Sequence, residues 1–268
     1  MSKLEHAIIA LQDMQTVARG QADRQLSPVC ALVVTVVYFI AMLSVSVDNI
    51  GMLLWFAIYP IVAAPFLGMS FGAVFIKSLY TLPFIAFIGI FNPIFDTEPA
   101  LTVGAMTVTR GWISFMSILL RGLMSVQSII ILVLAFGFEG VCRGMRKLGV
   151  PAFLVTQLLM VYRYMSVLLI ELLNMRRARE SRSYGNARLG LKMWGQMTGQ
   201  LFLRTVNRSE RINRALLARG FNGAMPFYQL DRVGWRMSDT VFALVWISVF
   251  LVLRLVNVSA VLGFDRLF

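Results

Sequence analysis

The sequence predicts an all-α integral membrane protein with about five transmembrane helices and further long helices on its cytoplasmic side. Of the 268 residues, 58% are hydrophobic and only 14% are charged, and the mean hydropathy is +0.75. Soluble domains carry about a quarter charged residues, so this composition excludes an ordinary soluble domain. Apolar runs of spanning length and one strongly basic segment are the other two observations behind the prediction.

Five apolar runs are long enough for transmembrane helices, since a span needs about 20 mostly apolar residues. The first two are separated by a short link and are predicted to form a helical hairpin. The stretch between the third and fourth runs contains Pro, Asn, Asp and Gly, which are typical of a loop. The five runs cover residues 28–47, 51–67, 71–91, 112–138 and 240–260.

Most of the positive charge lies in one segment that has no spanning run. The chain carries 25 Lys and Arg against 13 Asp and Glu, a formal net charge of +12. Residues 174–239 hold 13 of the basic residues and only four acidic ones. Because basic segments of membrane proteins stay on the cytoplasmic side, we expect this segment to lie in the cytoplasm.

These features predict three regions along the chain: a membrane domain of four spans at 1–138, a cytoplasmic or interfacial helical domain at 139–239, and a final span within 240–268. Residues 151–173 are apolar enough for a sixth span, but basic clusters flank both ends. A single crossing would place one cluster outside, against the positive-inside rule. We therefore predict that 151–173 lies on the cytoplasmic surface or re-enters without crossing.

The sequence contains no recognisable catalytic motif. A phosphate loop ending in Gly-Lys-Ser/Thr, a Gly-x-Ser-x-Gly elbow, a His-Glu-x-x-His helix and paired carboxylates within a span are all absent. Two Cys and one His are too few for a disulfide framework or a Cys/His metal site. We expect no catalytic residue and no metal ligand, and any ATP hydrolysis is expected to occur in a partner.

Three basic residues interrupt the predicted spans: Lys77, Arg121 and Arg254. Charges at a helix centre are costly and often mark a transport pathway. Long basic side chains also reach head groups or pair within a bundle. Because no carboxylate sits mid-span beside them, we favour the second interpretation.

Two helices are predicted in the basic segment, one ending at Gly185 and one over residues 194–218. On a helical wheel of the second, Phe202, Val206 and the Leu216–Leu217 pair face away from the arginines. This pattern predicts one basic side and one buried side. A polybasic helix lying on anionic lipid explains the charge equally well. The basic stripe consists of Arg204, Arg208, Arg211 and Arg219.

The runs RKLGVPAFLVTQLLMVYRYMSVLLIELLNMRRARESRSYG and GQLFLRTVNRSERINRALLARGFNG resemble the transmembrane T component of energy-coupling factor (ECF) transporters, in particular its CbiQ-like cobalt/nickel branch. That family shows a Leu-Gly-Val-Pro turn, a Tyr-Arg-Tyr in the next helix and a Leu-Phe-Leu-Arg helix start. Here these motifs occupy 148–151, 162–164 and 201–204. The resemblance extends more weakly to the N-terminal region.

The family also carries two short x-Arg-x motifs of Ala-Arg-Gly type. The second is matched by Ala218-Arg219-Gly220. The first departs from the pattern, since the sequence there is Ser181-Arg182-Ser183, and Arg179 is an alternative position for it.

The resemblance implies a coupling subunit that neither binds substrate nor hydrolyses ATP and that needs no cofactor. Its partners would be two cytoplasmic ABC-type ATPases holding ATP and Mg, a cobalt- or nickel-binding membrane S component and membrane lipid, with room for a small accessory membrane subunit. The location implied is the bacterial cytoplasmic membrane. The implied coupling residues are Ser181, Arg182, Ser183, Ala218, Arg219 and Gly220, supported by a basic face of Arg179, Arg204, Arg208 and Arg211.

Two other classes of function stay open at this point. The chain is alternatively a basic membrane scaffold for anionic lipid or nucleic acid, or an intramembrane enzyme with an unfamiliar site. Nucleic-acid binding favours aromatic residues among the basic ones, and only Tyr184 and Phe202 are near, so we expect no nucleic-acid partner. Cobalt and nickel are not distinguished by the sequence.

Overall fold

A computed structural model describes residues 26–47, 49–96, 99–103, 106–182, 190–221 and 236–255. The prediction of an all-α membrane protein is confirmed, and one short β-hairpin accompanies the helices in these ranges. The elements in chain order are α1 (Pro28–Leu43), α2 (Ile50–Trp55), α3 (Ile58–Phe66), α4 (Phe71–Leu79), α5 (Leu82–Gly89), α6 (Phe91–Phe95), β1 (Pro99–Val103), β2 (Met106–Thr109), α7 (Arg110–Lys147), α8 (Ala152–Glu180), α9 (Leu191–Ala218) and α10 (Met237–Leu255).

Three described helices, α7, α8 and α10, have the length and hydropathy of membrane spans. The predicted third span consists of α4 and the continuous stretch of α5 and α6, with a bend of 49° between the two parts. Counted together, the two parts would form a fourth span. Helix α8 has the length and composition of a membrane span, which does not distinguish a crossing from a surface position. The surface position of residues 151–173 therefore stays a prediction.

The predicted first and second spans are shorter helices than the apolar runs suggested. The 16 residues of α1 reach only about 24 Å at 1.5 Å per residue, less than a hydrocarbon core of about 30 Å. The second run is divided into α2 and α3. Pro60 has no N–H to donate to the carbonyl of Phe56, and the Tyr38 hydroxyl donates to that carbonyl instead, at 3.3 Å.

The stretch predicted as a loop between the third and fourth spans contains the β-hairpin. Strands β1 and β2 pair antiparallel, with Val103 opposite Met106 and Thr102 opposite Thr107. The prediction of loop alone was wrong here, because alternating Thr and Val residues favour a strand over a disordered connection.

Helix α7 is kinked close to residue 138, where the predicted fourth span ends. Gly137 has φ +66° and ψ 169°, a region that only glycine occupies without strain. The predicted fourth span, 112–138, therefore ends at the kink. The helical segment beyond it continues to Lys147.

The chain divides into two compact units, each described here by itself. The helix-pair unit contains, among the described residues, 145–182 and 190–221, and is formed chiefly by α8 and α9. The bundle unit contains the described residues from 26 to 144 and from 236 to 255.

An aromatic cluster forms the centre of the bundle unit. It joins α1, the α2–α3 region and α10. The Tyr38 and Tyr59 rings lie 4.6 Å apart, and Trp246 meets Tyr59 edge to face at 4.9 Å. Phe250 packs on Tyr38 at 5.4 Å. Such ring pairs add about 0.5–1.5 kcal/mol each beyond their buried area.

A buried carboxylate joins the starts of α1 and α10. Asp239 is fully buried, and its Oδ1 and Oδ2 accept the backbone N–H groups of Ser27 and Arg236, each at 2.8 Å. The Cys30 thiol donates to the Asp239 carbonyl at 3.1 Å. Because helix N-termini present unpaired N–H groups and partial positive charge, one carboxylate here satisfies two chain segments.

Two of the basic residues noted within spans bind the other end of α1. Arg121 donates from Nη2 to the carbonyls of Val45 and Ser46, at 2.7 and 3.0 Å. Arg254 donates from Nε to the hydroxyl of Ser44 at 3.1 Å. Carbonyls near a helix C-terminus attract cations, which accounts for Arg121; Arg254 is exposed and bonds only to a hydroxyl at the same end of α1.

Candidate functional site

Helix α8 is one continuous helix of 29 residues, where the sequence suggested an apolar stretch followed by a separate basic helix ending at Gly185. No proline or glycine lies between residues 152 and 180, so nothing interrupts its hydrogen-bond ladder. The two predicted pieces were therefore wrong as separate elements. The apolar part and the arginines near the first motif form a single rigid rod.

The first arginine motif lies at the C-terminal end of α8. Ser181 is the capping residue, and its N–H and hydroxyl donate to the carbonyl of Arg177 at 3.0 and 3.1 Å. The Arg182 N–H donates to the carbonyl of Arg179 at 2.9 Å. These bonds satisfy two of the last four carbonyls of the helix, and the Arg182 side chain is exposed. Ser183 lies outside the described residues.

The second motif ends α9 in a tight backbone turn. Gly220 has φ +76°, its N–H donates to Leu217, and the Phe221 N–H donates to Leu216, both at 3.0 Å. This pair of bonds is the Schellman motif, which favours glycine because of the positive φ. The three residues Ala218, Arg219 and Gly220 are exposed, so Arg219 projects from a helix end that backbone bonds hold in place.

An ion-pair cluster joins α8 to α9. The Glu171 carboxylate forms ion pairs with two arginines of α9: its Oε1 lies 3.3 Å from Nη1 of Arg204, and its Oε2 lies 4.0 Å from Nη1 of Arg208. The three side chains are 26% to 58% exposed, and such partly exposed pairs contribute about 0–1 kcal/mol each. The cluster therefore lies where the two helices meet but contributes little to their stability.

The wheel-based prediction for α9 was wrong in two respects. The face that packs toward α8 contains Leu201, Thr205, Arg208, Ile212 and Leu216, all half-buried. Arg208 therefore belongs to the packed side, because Glu171 on α8 provides a partner that a wheel of α9 alone does not show. The residues Phe202, Val206 and Leu217, predicted to be buried, are exposed.

The two helices run antiparallel, which places the arginine motifs at opposite ends of the pair. Arg182 lines the same cavity as Met193, near the start of α9. Phe221, just after Arg219, lines the same groove as Phe153, near the start of α8. A helix of 28 residues such as α9 is about 40 Å long, so the two motifs are well separated.

Sequence reasoning missed two residues that organise the structure, Glu171 and Asp239. Glu171 lies within the otherwise largely apolar residues 151–173 and belongs to none of the short motifs described above. Asp239 stands directly before a long apolar run, which is a helix N-terminus signal. Within the described ranges, no group of three or more His, Cys, Asp or Glu side chains is arranged to hold a metal.

The fold defines a class: a multi-pass, mainly helical membrane protein that contains an antiparallel helix pair with exposed arginines at both ends. The profile of the CbiQ family, described as cobalt transport protein, matches residues 21–228. The chain belongs to the CbiQ family.

Two proteins of Methanocaldococcus jannaschii are similar to parts of this chain. Uncharacterized protein MJ1571 is 29% identical over 139 residues, which cover 50% of this chain and 46% of the relative. Uncharacterized protein MJ1089 is 32% identical over 85 residues, which cover 31% of this chain and 32% of the relative. The matched segment thus spans less than half of each relative.

Proposed function

We propose that this chain is the membrane subunit that couples two cytoplasmic ATPases to a substrate-binding membrane subunit in an ATP-driven, ECF-type importer of cobalt or nickel ions. The observation that carries the proposal is the pair of exposed arginines, Arg182 and Arg219, at opposite ends of the antiparallel α8–α9 pair. Two separated anchors suit two ATPases. Membership of the CbiQ family supports the transport class.

Each anchor is suited to docking by its chemistry. An arginine presents a planar group of five N–H donors, which binds carboxylates and carbonyls in a fixed geometry. Gly220 turns the chain directly after Arg219, so the side chain stands at the end of the helix. ATP and Mg would be held by the ATPases, and this subunit would contribute no catalytic residue.

The helix pair would transmit force because it is linked near its middle. When the ATPases close on ATP, they would move the docked helix ends relative to one another. Glu171 holds Arg204 and Arg208 between those ends, so α8 and α9 would pivot about this cluster. The motion would then reach the substrate-binding subunit through the membrane helices. We place the complex in the bacterial cytoplasmic membrane.

The test is reconstitution with and without partners. The purified chain by itself is expected to hydrolyse no ATP, because its sequence has no phosphate loop. Co-expression with the two ATPases should give a complex that hydrolyses ATP and copurifies with this subunit in fixed proportion. Hydrolysis by the isolated chain, free of contaminating ATPase, would contradict the coupling role.

Membrane orientation gives a second test. In intact cells, a cysteine at Ser181 is expected to be protected from a membrane-impermeant thiol reagent, and one at Asn49 to be labelled, following the positive-inside rule. Cys30 and Cys142 are buried, so the unsubstituted protein serves as a low-background control. Labelling of Ser181→Cys from outside, before cell lysis, would place the Arg182 end on the wrong side for ATPase docking.

A further inference from the structure

A basic cavity of about 660 Å³ lies between the C-terminal half of α8 and the N-terminal half of α9. Its charged lining residues are four arginines and one acid: Arg179, Arg182, Arg204, Arg208 and Glu171. The surplus of positive charge around a concave space favours an anion, because partly enclosed charges attract more strongly than those on an open surface.

The donors around the cavity are incompletely satisfied within the described ranges. Nη1 of Arg179 is shielded from solvent and has no hydrogen-bond partner among the described residues. Glu171 is shared by two arginines, at 3.3 Å from Arg204 and 4.0 Å from Arg208. Since a buried donor without a partner is unfavourable, Arg179 would gain by turning its guanidinium group toward an anion in the cavity that also accepts from Arg204.

An apolar groove of about 590 Å³ adjoins the cavity along the same two helices. Val167 and Arg208 line both spaces. The groove is otherwise lined largely by apolar side chains, including Met160, Leu168 and Ile212. A basic cavity beside an apolar groove fits a molecule with an anionic head and a hydrocarbon tail.

We propose that the cavity binds the phosphate of an anionic phospholipid, with the acyl chain lying in the adjoining groove. Phosphate accepts several charge-assisted hydrogen bonds, which matches guanidinium groups converging from two helices. A bound lipid would fill the space beside the Glu171 cluster and would bias how α8 and α9 meet. Arg182, the other proposed ATPase anchor, lines the cavity, whereas Arg219 does not, so the lipid site is separate only from the anchor at Arg219.

The binding test uses the full chain in a neutral detergent, titrated with dioctanoyl phosphatidylglycerol and monitored by native mass spectrometry. We expect saturable binding of phosphatidylglycerol, and at least about fivefold weaker binding of dioctanoyl phosphatidylcholine, whose net charge is zero. Glycerol phosphate separates lipid from free phosphate. If it competes at the same concentration as the lipid, the groove contributes nothing and the lipid assignment is overturned.

Variants distinguish this cavity from general attraction to a basic surface. Arg179→Gln and Arg204→Gln are each expected to weaken phosphatidylglycerol binding about fivefold or more. Arg211→Gln is the matched control, because Arg211 is exposed on α9 and lines neither space. Equal loss in all three variants would show diffuse binding and overturn the proposal.

Glu171→Gln distinguishes a specific loss of lipid binding from a loss caused by unfolding. Removing this carboxylate frees Arg204 and Arg208 for the ligand, so affinity for phosphatidylglycerol is expected to rise, which loss of folding would not produce. A fall in affinity with unchanged thermal stability would overturn the proposal.

Copurification of the ATPases is measured on the same variants to separate the two proposals. Retention of ATPase with loss of lipid supports a distinct lipid site. Loss of ATPase with unchanged lipid binding in Arg179→Gln or Arg204→Gln would assign the cavity to a protein partner and overturn it. If the ATPases do not bind the unsubstituted protein, the coupling role is contradicted, and the lipid-binding result is unaffected.

Discussion

Arg219→Ala is expected to reduce metal uptake at least tenfold while membrane insertion stays normal. Losing one partner of a buried charged contact costs roughly 2–5 kcal/mol, and 2 kcal/mol corresponds to about 30-fold in affinity for the ATPase. The turn after Arg219 is held by backbone bonds from Gly220 and Phe221, so alanine leaves the helix end intact. The measurements are cobalt and nickel uptake by cells producing the complex, and ATPase retention on pull-down.

Arg211→Ala is the control for this experiment. Arg211 is exposed on the same helix, two turns before Arg219. Its replacement by alanine removes the same charge. Arg208 is less suitable, because it pairs with Glu171 and its loss would also disturb the helix pair. If a basic lipid platform were the whole function, the two variants would lose similar, small amounts of uptake, about 1 kcal/mol in binding each. Full uptake by Arg219→Ala would refute the anchor.

The first motif is tested by the same assay. Arg182→Ala is expected to impair uptake as Arg219→Ala does, since the Arg182 side chain is exposed at the end of α8. Arg179 lines the cavity between the helices and has a shielded Nη1. If Arg179→Ala abolishes ATPase retention and Arg182→Ala does not, the first anchor is Arg179.

Asp239→Ala is expected to lower the free energy of unfolding by about 3 kcal/mol or more. The substitution leaves the buried N–H of Ser27 and the part-buried N–H of Arg236 without this acceptor. An unsatisfied buried group costs about 1–3 kcal/mol, and more where a charge was the partner. The expected observation is a lower midpoint of thermal unfolding in detergent, and lower yield from membranes.

Two comparisons make this result specific. Asp239→Asn keeps one carbonyl oxygen as an acceptor and should fall between the alanine variant and the unsubstituted protein. Ser248→Ala removes only an exposed hydroxyl that donates to the carbonyl of Val245 in the same helix, and should change stability by less than about 0.5 kcal/mol. An Asp239→Ala protein as stable as the Ser248→Ala protein would show that the carboxylate does not hold α1 to α10.

The sequence anticipated the positions of the arginine motifs better than their surroundings. Arg182 and Arg219 were placed by the resemblance of short motifs to a family pattern, and the helix-stopping Gly220 is a local signal that supports the second. The wheel placed Arg208 on an exposed basic stripe, whereas Arg208 is half-buried beside Glu171, a partner on another helix. The exposed Phe202 and Leu217 were misjudged too, because amphipathic periodicity assumes that the apolar side of a helix packs within its own chain.

Composition and the lengths of apolar runs determined by themselves that this protein is helical and resides in a membrane, because the bilayer requires backbone groups to be satisfied within each segment. The break in the second apolar run, just before Pro60, has a local chemical cause, although the sequence predicted that run as one span. Only the tertiary structure decided that Asp239 bonds to Ser27, 212 positions away, and that Glu171 meets Arg204 across 33 positions. Contacts at such separations depend on how whole helices pack, and no local pattern of residues specifies that packing.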